Sequence, residues 1–201
     1  MVASSTTQIV LFINDDEASL AVTTDTSDAR LNKLMGQTFG TRIAKDENKD
    51  TELKVRCCVG EWQPREIANP DELAEILPRG SEVIRSIHVS FDASLEPCLA
   101  APVTEIIFAT AKQEQDLITF GGICDFALRA TIEQPGCTGT AWGFAKENPQ
   151  LFVLVAGWDR IRSRNKFRNT EAYAVSILPF NQGIVESEVA EYEFRSSVGR
   201  E

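Results

Sequence analysis

The stretch Phe152-Val-Leu-Val-Ala-Gly-Trp158-Asp159 decides the reading of the fold. It is an apolar run of strand length, rich in β-branched residues, that stops on a tryptophan and an acid. The segment after it, to Phe194, reads as a helix and then a closing strand. The same order appears in weaker form about a hundred residues earlier. There Val55-Arg-Cys-Cys-Val-Gly-Glu61-Trp62 is the strand, a helix follows, and Val83 to Phe91 closes. Ile76-Leu77-Pro78 and Ile177-Leu178-Pro179 stand between helix and closing strand in the two copies, and both closing strands end on Phe.

Working outward, Gln8 to Ile13 reads as a first strand and Asn14 to Thr26 as an acidic loop. Leu31, Leu34 and Met35 have helical spacing and predict a helix over Asp28 to Gln37. Phe39 to Ala44 and Leu53 to Trp62 read as strands around a turn at Asp46 to Asp50. Asn69-Pro70-Asp71-Glu72 is a helix start, with Pro at the first helical position and acids in the first turn, and this helix ends before Pro78. Glu82 to Phe91 is the last strand of this half, and Asp92 to Pro102 is a linker.

The second half repeats the order. Val103 to Ala111 is a strand, and Gln113 to Glu133 a long amphipathic helix with Leu117, Phe120, Cys124, Ala127, Leu128 and Thr131 along one stripe. Pro135-Gly136 stops it. Cys137 to Phe144 and Leu151 to Trp158 are strands, Asp159 caps a helix running to about Ser176, and Ile184 to Phe194 closes. Arg195 to Glu201 is expected to fray. Two consecutive βαββαβ orders give an α+β fold class: tandem ferredoxin-like halves, 1–95 and 96–201, the first of them degenerate. Both faces of the strands carry apolar residues. The halves are therefore expected to pack sheet to sheet, as an intramolecular α+β barrel.

The totals set bounds. The chain has 201 residues, 43% apolar and 25% charged, ordinary for a soluble globular protein. No apolar run approaches the ~18 residues of a membrane span. The start lacks a basic segment followed by a long apolar one, which predicts no signal peptide and a cytoplasmic location. The net charge of -10 argues against a nucleic-acid partner. Arg160, Arg162, Arg164, Lys166 and Arg168 alternate, and read as a solvated surface. The five cysteines show no metal-ligand spacing and read as reduced, buried thiols. His88 is the single histidine, which removes multi-histidine metal sites. The glycines form neither a phosphate loop nor a dinucleotide fingerprint; Gly121-Gly122, costly inside a long helix, point to close approach of a strand or to a kink that makes room for a ligand, with packing the favoured reason. No Gly-x-Ser-x-Gly elbow is present. The expectation is an enzyme or binding protein without a cofactor or metal.

Three motifs carry a family resemblance: Pro102-Val-Thr-Glu105-Ile-Ile opening a strand, Pro135-Gly-Cys-Thr-Gly139 after the long helix, and Gly157-Trp158-Asp159 leading to Phe167-Arg-Asn-Thr-Glu171-Ala-Tyr173. They resemble the dimeric α+β barrel superfamily, in its antibiotic biosynthesis monooxygenase-like branch. The second half is covered nearly end to end, and the first chiefly at Glu61-Trp62 and His88-Val89-Ser90-Phe91. The resemblance implies a small-molecule cavity between sheet and helices. It also implies a range of activities: cofactor-free oxygenases on aromatic polyketides, cyclases, decarboxylases, isomerases, haem-handling enzymes and stress proteins. Similar sequences often have a histidine three positions before the helix Phe, where this chain has Arg164.

Candidate site residues follow from chemistry. His88 is on a closing strand whose alternation sets Ile84, Ser86, His88 and Ser90 opposite Val83, Arg85, Ile87, Val89 and Phe91. It reads either as an interior general acid–base group or as a hydrogen-bonded structural histidine. Glu191 aligns with it in the repeat, and with Val189 and Glu193 is expected on the interior or interface face. A carboxylate buried there either pairs with a base such as Arg56 or serves in proton transfer. Glu105 stands on an apolar strand face and wants a partner, as a cavity acid or in a salt bridge at the rim. Trp62 and Trp158 end equivalent strands, and together with Phe120 and Arg56 they are the candidates for a pocket wall; packing is the competing role. The function expected is cofactor-independent acid–base cyclisation or isomerisation of a hydrophobic polyketide- or terpenoid-like metabolite. Cofactor-free monooxygenation and a non-catalytic binding or stress-response barrel are the alternatives, and a homodimer is open.

Overall fold

The computed structural model describes residues 6–13, 34–42, 55–62, 77 and 80–196. They fall in two compact units, one of Met1–Ser90 with Arg195–Glu201, the other of Phe91–Phe194.

The first unit holds β1 (Thr6–Ile13), β2 (Leu34–Arg42), β3 (Val55–Trp62) and β4 (Glu82–Phe91). All pairings are antiparallel, in the order β2-β3-β1-β4. Strand β1 is central, and Ile9, Val10, Leu11 and Phe12 are buried on both of its faces. This explains why the run shows no polar alternation. The register sets Gln8 opposite His88 and Phe12 opposite Arg56. One expectation is overturned: Leu34 to Gln37 belong to β2, not to a helix. Gly36, Thr38, Gly40 and Thr41 are poor helix formers, and the ladder to β3 decides the conformation. The rest of that expected helix, the loop before it, the Asp46 to Asp50 turn and the helix from Asn69 lie outside the described residues, save for Leu77, which is buried.

The second unit holds α1 (Glu96–Leu99), β5 (Val103–Ala111), α2 (Leu117–Ile132), β6 (Cys137–Ala145), β7 (Leu151–Trp158), α3 (Ile161–Arg168), α4 (Glu171–Gly183) and β8 (Ile184–Ser196). Its antiparallel order is β8-β5-β7-β6. In both units the first strand lies between the third and the fourth. That shared order defines two ferredoxin-like units in tandem, and the fold class is α+β.

Four local expectations are corrected here. The linker contains α1, with Pro97 in its first turn and the Glu96 N–H donating to Ser94 Oγ at 3.2 Å. Helix α1 sits tightly on the sheet: a Cβ on Gly157 would lie 2.8 Å from Cys98 Cα. The helix after Trp158 is two helices. Thr170 caps the second by accepting from the Tyr173 N–H at 3.1 Å. Asp159 is not the cap of the first. Arg160 holds that position, while Asp159 accepts from the Arg160 side chain at 2.9 Å. Pro179 lies inside α4 rather than after it. Its ring removes one backbone bond, to a turn whose Val175 is exposed, so water can serve the freed carbonyl.

The helices cover one face of the second sheet. Ala109, Ala111, Phe152 and Leu154 pack with Phe120, Cys124 and Leu128 of α2 and Phe180 of α4. At the other end of the strands Val103, Ala156 and Trp158 pack with Phe167 of α3.

Candidate functional site

Between those two apolar clusters runs a charged row. Glu105 of β5 stands directly opposite Glu191 of β8 and opposite Ala156 of β7. By alternation these side chains share the helix-facing side with Val103 and Ala109. Two carboxylates side by side repel, and α3 supplies the remedy. Arg164 donates Nε and Nη2 to Glu105 Oε1 at 3.0 and 2.8 Å, and its Nη1 reaches Glu191 Oε1 at 2.5 Å. Arg168, one helical turn on, donates to the same Glu105 oxygen at 2.7 Å. Arg164, Glu105 and Glu191 are all buried. The quartet is electrically balanced and charge-assisted throughout.

This changes two readings. Arg164 is a buried hub, not part of a solvated basic run. Glu191 faces α3 on the helix side of its sheet rather than the opposite one. The reason is the register: Glu105 and Glu191 are cross-strand partners, and Arg164 of α3 reaches both of them.

The other candidates are placed as follows. Trp158 is fully buried against Phe167, ring centroids 5.9 Å apart, and its Nε1–H has no hydrogen-bond partner among the described residues. Phe120 is the centre of an aromatic core, edge-on to Phe152 at 4.6 Å and stacked on Phe180 at 5.6 Å. His88 and Arg56 are buried in the first unit. By alternation along the paired strands His88 shares a face with Gln8 and Ser86, which are joined by a 3.0 Å hydrogen bond. The Trp62 side chain lies outside the described residues. Thus Glu105 and Glu191 are brought together, whereas His88 and Arg56 belong to a separate unit.

Sequence reasoning weighed room for a ligand at Gly121-Gly122 but favoured packing there, and did not place the open groove of about 460 Å³ that the second unit carries. Leu117, Ile118, Gly121, Gly122 and Asp125 of α2 form one wall. Trp142 and Phe144 of β6 form the other, with Pro149 at the turn beyond. The Trp142 ring lies over Gly121, where a Cβ would come within 2.8 Å of its Cη2. At Gly122 a Cβ would meet nothing within 4 Å, so that glycine keeps the groove open. Among the described residues Asp125 is the one ionisable group in the lining, paired with Arg129 at 2.9 Å. The signal available in the sequence was the glycine pair inside a helix that otherwise forms well.

Burial raises the thiol pKa values, to about 12 at Cys98 and Cys124 and about 11 at Cys137, which fits reduced packing residues and not nucleophiles. Among the described residues no group of three potential metal ligands occurs. No helix among them is long and apolar enough to cross a membrane.

The fold and site define an α+β protein of tandem ferredoxin-like units with a small-molecule-sized groove. Comparison with solved structures agrees. A "putative monooxygenase" from Fusobacterium nucleatum superposes with a TM-score of 0.64 at 16% identity, over 100% of this chain and 98% of that one. A "putative monooxygenase" from Lactobacillus acidophilus gives a TM-score of 0.60 at 12% identity, over 96% of each chain. The tandem fold is therefore shared along its full length, as the resemblance to the antibiotic biosynthesis monooxygenase-like branch implies. No family model and no curated protein matches the sequence.

Proposed function

We propose that the protein is a cofactor-independent enzyme that takes a hydrophobic, ring-bearing metabolite into the groove between α2 and β6. The observation that carries this reading is the groove itself: aromatic on one wall, backbone-flat at Gly122 on the other, and large enough for a fused-ring molecule. Monooxygenation is the favoured reaction, supported by the names of the two structures that share the fold from end to end. In that chemistry the substrate supplies the electrons. A ring C–H whose carbanion is delocalised onto a carbonyl loses its proton, the carbanion gives its electrons to O₂, and loss of water from the resulting peroxide leaves a second carbonyl. For a tricyclic anthrone the balance is anthrone plus O₂ giving anthraquinone plus water. Cyclisation or isomerisation begins with the same proton loss and ends without oxygen uptake.

Glu105 and Glu191 are committed to Arg164, so we assign them to holding α3 on the sheet and not to proton transfer. His88 stays a candidate for acid–base work within the first unit. The test is oxygen uptake and quinone formation from anthrone, for the protein and for Gly122→Leu, which fills the groove. Turnover that the substitution abolishes supports the reading. Turnover without oxygen uptake moves the reaction to isomerisation. Binding of anthrone without turnover moves the protein to the non-catalytic class.

A further inference from the structure

The groove has an apolar lining with one carboxylate in it, and that carboxylate already holds a cation. Asp125 Oδ2 accepts from Arg129 Nη2 at 2.9 Å, an i,i+4 pair on α2 whose arginine side chain is 77% exposed. An exposed pair of this kind is weak and readily exchanged. Leu117, Ile118, Trp142 and Phe144 offer a ligand body only dispersion and burial. The chain's net charge of -10 adds a field that draws cations and repels anions. We propose that the groove recognises a ring system bearing a protonated amine, with the ring against Trp142 and Gly122 and the ammonium on Asp125 in place of Arg129. The inference rests on the proposed function, whose substrate class it narrows to apolar amines.

The test compares 9-(aminomethyl)anthracene, 9-methylanthracene and anthracene-9-carboxylate, titrated against the full chain by tryptophan fluorescence and calorimetry. The amine is expected to bind about fivefold more tightly than the neutral probe, the scale of an exposed ion pair, and the carboxylate most weakly. Asp125→Asn, on the solvent side of α2, should erase the amine's advantage and leave the neutral probe unchanged. Equal binding of all three, or an amine preference that survives Asp125→Asn, overturns the inference alone. If no probe binds, or if Gly122→Leu leaves binding untouched, the groove reading falls and the inference with it.

Discussion

Arg164 delivers two of its nitrogens, Nε and Nη2, to the same oxygen of Glu105, at 3.0 and 2.8 Å. With the third nitrogen on Glu191 at 2.5 Å, one side chain of α3 bridges the neighbouring strands β5 and β8 of its sheet. Arg164→Met would strip Glu191 of this partner and leave Glu105 with Arg168 alone, both carboxylates still buried. Removing one member of a buried pair costs roughly 3–5 kcal/mol. Arg168→Met should cost well under half of that, since the Arg168 side chain is 36% exposed and Arg164 remains. The triple change Arg164→Met, Glu105→Leu, Glu191→Leu should recover most of the loss, because the one charge it leaves without a partner, Arg168, has a side chain 36% exposed and can turn to water. Urea midpoints of the four proteins check the order. A triple variant no better than Arg164→Met would show that geometry, not charge, is what the quartet supplies.

Adjacent glycines of α2 should respond with opposite sign. Gly122→Ala adds a methyl to open space and removes a glycine from a helix interior, which raises stability by about 1 kcal/mol. Gly121→Ala makes the same helix gain but drives its Cβ to 2.8 Å from Trp142 Cη2. That ring cannot move freely, since it packs on Phe144 at 5.4 Å and Phe152 at 6.4 Å. Overpacking of this kind costs about 1–3 kcal/mol, so the net change is a loss. Thermal melts of the two variants decide it. A stabilised Gly121→Ala would mean that Trp142 is not pinned over the helix.

Strands β5 and β7 are legible in the sequence to the residue because β7 is an almost unbroken apolar run and β5 is rich in β-branched residues, and neither shows a helical period. The tandem order followed from them. Arg164 was hidden for a physical reason. Along the sequence its basic neighbours alternate, and alternation says nothing about a helix. Only the period of α3 puts Arg164 and Arg168 on one side, four residues apart, toward Glu105. Glu191 was misplaced because alignment with His88 carried no information about which face the helices cover. The groove was not legible either. Its walls are a helix and a strand brought together by packing, and the register that sets Trp142 opposite Leu154 cannot be read from either segment.

The start of α2 should titrate. Asp116 accepts from the Thr119 N–H at 2.9 Å and from its hydroxyl at 2.5 Å, and these bonds hold its pKa below the ordinary 3.8. A depressed carboxyl contributes stability above its unfolded pKa and loses it as pH falls through the folded value. The cap should therefore be intact at neutral pH and fail only in acid below 3.8. Asp116→Asn keeps an acceptor for the helix N–H but does not titrate, so the wild type should lose its advantage over the variant in that window. Helix content by circular dichroism, read from pH 6 to pH 2, reports it. Parallel curves would show that the cap's charge is irrelevant.

The thiols set the opposite limit. Desolvation first of all raises Cys98 and Cys124 from 9.0 to about 12, and Cys137 to about 11. A raised thiol favours the protonated native state. Its contribution is complete below the unfolded value near 9.0 and is lost as pH climbs toward the folded values. The second unit should therefore be stable to about pH 9 and weaken steeply between there and 12. At pH 8 the native thiols should react slowly with a disulfide reagent, and rapidly once urea opens the chain. Cys124 is the sharpest case, fully buried among Phe120, Leu128 and Phe152, and Cys124→Ala should flatten the alkaline limb at the cost of a small cavity. Rapid labelling of Cys124 in the folded protein at pH 8 would mean that α2 lifts from the sheet far more often than its packing allows, and the groove beside it would then be a moving surface, not a formed site.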